Sequence, residues 1–244
     1  MRWLARNSLI IALVLTIVAA VSSVAAFQPA GTPAAGTPIS GTPIATDATN
    51  DAYFASPADL LDQIPSGEPS TVSVIGNGLV FQNQVFVAVR NNTSATVGSV
   101  SIAVSALDAS GGLIAVGSSE QVVPAVIQPG GIGQSLIALQ SPAPDGTAVQ
   151  ITVSAGPVPS YVSTAPLTIT QATNTGSAII GFAMNATGSP SSSPRFAISC
   201  WGADGSLVSY PAYTIFDGYS VPPGANAAFT ASTASCDRFL VTAG

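Results

Sequence analysis

Val100-Ser101-Ile102-Ala103-Val104-Ser105-Ala106 alternates two kinds of residue, branched or apolar at even positions and small or polar at odd ones. Period-two alternation puts one set on each face of an extended strand, whereas a helix needs apolar residues every three or four positions. Working outward, Val72-Ser73-Val74 repeats the pattern, and Val85, Val87 and Val89 alternate with Phe86, Ala88 and Arg90. Val149-Gln150-Ile151-Thr152-Val153 does so again. Each run is bounded by Gly, Asn, Pro or Asp-Gly, and no stretch after residue 66 keeps a helical period. Short alternating strands punctuated by turn residues predict an antiparallel all-β sandwich.

The pattern returns 94 positions on. Asn91-Asn92-Thr93 matches Asn185-Ala186-Thr187, Val104-Ser105 matches Ile198-Ser199, and Pro129-Gly130 matches Pro223-Gly224. Gly111 and Leu113 likewise match Gly205 and Leu207. The last strands match at the shorter offset of 88: Ile151-Thr152-Val153-Ser154-Ala155-Gly156 against Phe239-Leu240-Val241-Thr242-Ala243-Gly244. Two tandem β-sandwich modules are expected, over 71–157 and 161–244, with a boundary near Gly156-Pro157-Val158-Pro159. Each is long enough to enclose a core of its own.

Both copies run from an Asn-rich turn into a long strand, a Gly turn, a further strand and a Pro-Gly turn. This order resembles the FxLYD-type immunoglobulin-like domain of exported bacterial proteins. Val104-Ser105-Ala106-Leu107-Asp108 keeps the Asp of the family motif, and Ile198-Ser199-Cys200-Trp201-Gly202 keeps its apolar and aromatic character. The resemblance covers most of 71–244. It implies immunoglobulin-like β-sandwiches at the cell surface or in the envelope, and it carries over no catalytic residue.

Upstream, Arg2 and Arg6 precede an almost wholly apolar run from Leu9 to Ala20 and the small-residue stretch Val21-Ser22-Ser23-Val24-Ala25-Ala26. That is the order of parts in a secretory signal peptide over residues 1–26, with a cut after Ala26. A retained anchor is the competing reading, because residues 7–27 are long enough to cross a bilayer. Residues 27–66 form a linker in which Gly31-Thr32-Pro33, Gly36-Thr37-Pro38 and Gly41-Thr42-Pro43 recur. Gly and Pro at this density oppose helix and ladder alike, so a disordered, extended spacer is expected, its threonines candidates for sugars. Within it, Ser56-Pro57-Ala58-Asp59 has the cap and first-turn chemistry of a short helix near 57–64, with Leu60, Leu61 and Ile64 as its apolar side.

Composition excludes several chemistries. The 244 residues hold five basic residues, all Arg, against eleven Asp and Glu, with no His and a net charge of −6. Without His there is no imidazole acid–base pair and no His metal site. Without Lys there is no Schiff base and no phosphate-loop lysine. Three Arg in the processed chain cannot track a nucleic-acid backbone. A membrane contact is expected only through an uncleaved N-terminal segment.

The remaining candidates are few. Cys200 and Cys236, in an exported chain, are expected to form one disulfide. Asp108-Ala109-Ser110-Gly111-Gly112, Asp145-Gly146, Asp204-Gly205 and Asp217-Gly218 read as hairpin turns rather than calcium loops, since no alternating Asp series closes on a Glu. Asn91 and Asn185 fit the N-glycosylation pattern, yet a turn role explains both. Ten aromatics fall between 161 and 244 against two between 71 and 157. Phe182, Phe196, Phe229 and Phe239 are expected in the core. If Cys200 points inward, Trp201 points out, and with Tyr210, Tyr213, Phe216 and Tyr219 it would make an aromatic platform for a sugar ring or a protein. No metal and no cofactor are implied. The expected protein is secreted or at the cell surface, and non-catalytic. Its expected role is that of a structural or protein-interaction module with an envelope protein or polysaccharide as partner. The alternatives are a carbohydrate-binding surface protein built on those aromatics, or a hydrolase working with carboxylates.

Overall fold

The structure is a computed structural model, described over 53–56, 60–81, 83–144, 147–160, 167–215, 220–232, 236 and 238–244. The proposed signal or anchor, the Gly-Thr-Pro run, the Asp145 and Asp217 turns, Phe216 and Tyr219 lie outside the described residues.

The chain is all-β. A strand β1 (Tyr53–Ser56) and a one-turn helix α1 (Leu60–Gln63) come first. Next are β2 (Val72–Phe81), β3 (Gln84–Asn91), β4 (Gly98–Leu107), β5 (Leu113–Ser119), β6 (Ile132–Ala138) and β7 (Ala148–Gly156). The second half supplies β8 (Thr168–Asn174), β9 (Ala178–Met184), β10 (Ser191–Ser192), β11 (Arg195–Trp201), β12 (Leu207–Ile215), β13 (Ser220–Val221), β14 (Asn226–Ser232) and β15 (Phe239–Ala243). Every strand pairing is antiparallel.

Sheet order is the same in both halves. The first forms β2-β3-β6 and β5-β4-β7; the second forms β8-β9-β14 and β12-β11-β15, with β1 added beyond β15. The alternation in β4 is as expected: Val100, Ile102, Val104 and Ala106 are buried, while Ser101, Ala103 and Ser105 are not. These four join Val85, Val87 and Val89 of the facing sheet in one apolar cluster. A second cluster joins Phe196, Ile198 and Cys200 of β11 and Phe239 and Val241 of β15 to Ile179 and Phe229 of β9 and β14. Both arrangements are those of sheets packed face to face.

A third cluster lies on the opposite sides of the two inner sheets. Phe86, Ala88 and Ile132, on the side of β3 and β6 away from the first core, meet Trp201 and Leu240, on the side of β11 and β15 away from the second. The helix plugs this joint with Leu60 and Ile64. Strands β3, β11 and β15 are therefore buried on both faces. That explains why β3 runs Val85-Phe86-Val87-Ala88-Val89 with every residue enclosed. The order of layers is β5-β4-β7, β2-β3-β6, β12-β11-β15-β1, β8-β9-β14, with an apolar cluster in each interval.

Candidate functional site

Two asparagines hold matching turns. Asn91 is fully buried, and its Nδ2 donates to the carbonyls of Ala95 at 2.8 Å and Ile127 at 2.9 Å. Its Oδ1 accepts from the Thr93 amide at 3.0 Å and hydroxyl at 2.7 Å. Asn185 does the same with Ser189, Val221 and Thr187, at 2.8, 2.8, 3.0 and 2.6 Å. Both backbone carbonyls accept a 2.7 Å bond from the glycine of the Pro-Gly turn, Gly130 and Gly224, which sit at φ 77 and 74. Left-handed backbone of this kind is where glycine has no steric penalty. A glycan would have to replace an amide hydrogen on Nδ2. Both hydrogens are committed and the group is buried, so the sequons are closed in the folded chain.

The acidic turns are likewise occupied by their own backbone. Asp108 Oδ1 accepts from the Ser110 hydroxyl at 2.6 Å and from the Ser110 and Gly112 amides at 2.8 and 2.7 Å. Asp204 Oδ1 accepts from the Ser206 hydroxyl at 2.6 Å and its amide at 3.0 Å. The Ser110 and Ser206 hydroxyls, with the amides beside them, hold both carboxyls below their ordinary value of 3.8. Among the described residues no group of three His, Cys, Asp or Glu could hold a metal ion.

The disulfide is present: Cys200 and Cys236 are bonded with Cα atoms 5.5 Å apart. Cys200 faces the second core, as expected, and Trp201 points the other way. Trp201 is nonetheless only 3 % exposed. The outward face of β11 does not meet solvent, because β2-β3-β6 covers it. Trp201 Nε1 donates to Ser199 Oγ at 2.8 Å, and its ring lies where a Cβ on Gly76 would stand. Tyr210 also belongs to the joint, stacked on Phe86 with ring centroids 4.5 Å apart. Tyr213 is opposite Ala197 in the β11–β12 ladder. The expected platform is thus corrected at its leading member: Trp201 offers no stacking face to a ligand.

The joint has polar ties as well. Gln134 of β6 is fully buried and donates through Nε2 to the Ala197 carbonyl at 3.1 Å and to Thr242 Oγ1 at 3.0 Å. Arg90 reaches the Leu61 carbonyl at 3.4 Å, and Arg238 donates to Gln63 Oε1 at 2.5 Å. One arginine from each half therefore grips the helix.

Phe196, Phe229 and Phe239 are core, but Phe182 is not. Phe182 is 46 % exposed and its neighbour on the same face, Ile180, is 44 % exposed. The core placement expected for Phe182 is corrected: the core side of β9 is the other one, carrying Ile179 and Ala183. Sequence reasoning missed this pair. The signal available was the offset of 94, which aligns Ile180 and Phe182 with Phe86 and Ala88.

No family model matches the chain, and no curated relative matches it. Among solved structures it is similar to a red sea bream transglutaminase, at 13 % identity over 72 % of this chain and 29 % of that one. The TM-score of 0.22 is too low for that likeness to carry an argument. The match spans under a third of the transglutaminase's length.

Proposed function

We propose that the chain is an exported, non-catalytic protein of the cell envelope, acting as a structural or protein-interaction module built of two tandem immunoglobulin-like β-sandwiches. The observation that carries this reading is the joint. Phe86, Trp201, Leu240 and the helix side chains tie the two halves through an apolar contact, with Gln134 bonded across it. A joint of this kind suits a stiff spacer, because a hinge would have to expose that apolar area to water. The shared strand order and the twin asparagine turns support a tandem arrangement. The disulfide fits an oxidising compartment. The carboxylates of Asp108 and Asp204 serve turns, which is a structural use of charge.

Fractionation of the producing cells tests the reading. The expected result is chain in the envelope or medium, with Cys200 and Cys236 resistant to alkylation until reduced. Capture on the immobilised chain then returns a saturable envelope component, or none if the role is that of a spacer. Chain found in the cytoplasm with two free thiols overturns the proposal.

A further inference from the structure

We propose that the protein assembles head to tail with further copies of itself, by repeating between chains the sheet-on-sheet joint it already makes within one. The argument starts from the offset of 94. Inside the chain, the outer side of β3, bearing Phe86 and Ala88, packs against the outer side of β11, bearing Ala197, Ser199 and Trp201. Adding 94 to the first pair gives Ile180 and Phe182, which lie on the uncovered side of β9. Subtracting 94 from the second set gives Ala103, Ser105 and Leu107, on the uncovered side of β4. Each chain therefore has one face of each kind already joined and one of each kind left over, at opposite ends of the layer order.

Charge favours a second copy as the occupant. A chain of net charge −6 repels its own copies through most surfaces. The two end sheets add nothing to that repulsion: no residue of β4, β5, β7, β8, β9 or β14 is charged, and Asp108 and Glu120 stand just past the ends of β4 and β5. Cross-strand neighbours of Phe182 are Ala228 and Gln171, and those of Ile180 are Thr230 and Thr173. The receiving face has Ala103 between Ser118 and Thr152, and Ser105 between Val116 and Gln150. Ala103, Ser105, Ser118 and Thr152 give it short side chains at its centre. Such a contact is heterologous, so repetition gives a linear array unless the rotation closes a ring. This inference goes beyond the exported structural role; a chain that stays monomeric would leave that role standing.

The test is sedimentation of the full chain over a concentration series, with the exposed-site variants Phe182→Glu and Ala103→Glu checked for unchanged melting. The wild type is expected to grow in mass past the dimer as concentration rises. Each variant alone is expected to stay monomeric. Mixed in equal amounts, the variants are expected to form a dimer and stop, because each retains the face that the other lacks. A wild type that stays monomeric throughout overturns the proposal. Association that both substitutions leave intact also overturns it, and would assign self-contact to the apolar N-terminal segment. A dimer abolished by Phe182→Glu but untouched by Ala103→Glu overturns it in favour of a two-fold contact. Retention of a monomeric wild type on envelope polysaccharide, lost in Phe182→Glu, overturns it in favour of a sugar.

Discussion

Phe86 and Ala88 in the first half, and Ile180 and Phe182 in the second, occupy the same places in sheets of the same order. The first pair is wholly buried; the second is nearly half exposed. Local sequence does not produce this difference, since both pairs sit in runs of apolar residues, Val85-Phe86-Val87-Ala88-Val89 and Ala178-Ile179-Ile180-Gly181-Phe182-Ala183. What differs is the neighbour. Beyond β3 comes another sheet of the same chain, while beyond β9 there is none among the described residues. Burial of an outward side chain is thus a property of the stack rather than of the strand.

The sharpest way to break that comparison is to truncate the matched positions. Phe86→Ala removes a fully buried ring stacked on Tyr210 and is expected to cost about 3–5 kcal/mol in urea unfolding. Ile180→Ala, at the equivalent place, is expected to cost under about 1 kcal/mol. Equal losses would mean that Ile180 is covered after all. Next comes the disulfide, a feature of the second half alone. Its closed loop spans 36 residues, and Cys200→Ser with Cys236→Ser is expected to lower stability by about 2–4 kcal/mol. Thermal melting under reducing and oxidising conditions checks it, and only the wild type should respond to reductant.

The asparagine turns should behave alike where the faces do not. Asn91→Ala and Asn185→Ala each remove two donated and two accepted bonds from a turn and leave the Thr93 or Thr187 amide without its acceptor, and each is expected to cost about 1–3 kcal/mol. A large difference between them would show that the two turns, though equal in geometry, bear different loads. The smallest effect belongs to Asp108 and Asp204. Their folded-state affinity for protons is lowered, so their contribution is present at neutral pH and lost as pH falls below 3.8 through the lowered value. Asp108→Asn with Asp204→Asn should flatten the acid limb of a stability–pH curve by lowering its neutral plateau slightly, with stability at the acid end nearly unchanged.

Much of the β architecture was legible because alternation is a local property. Val100 to Ala106 announces one core-facing set, and β4 has it. Turn residues were legible for the same reason: Asn91, Asn185, Asp108 and Asp204 bond within a few positions of themselves. The short helix was anticipated near 57–64 and is present over Leu60–Gln63, docked in the joint. Trp201 and Phe182 were misjudged in opposite senses. Which side of a strand meets protein is fixed by distant residues: Ile179 and Ala183 of β9 pack with Phe196, Ile198 and Phe239, and Trp201 meets residues more than a hundred positions away. Trp201 is covered at Gly76, and nothing in its own strand names that glycine.

By itself, then, the sequence determined strands, turns, the cysteine pair and the recurrence at 94, all of which follow from side-chain period and short-range hydrogen bonding. Tertiary structure alone decided which outward faces are interior. The apolar joint gathers Leu60, Phe86, Trp201 and Leu240 from four separate elements, and only the free energy of excluding water from all of them together selects that arrangement.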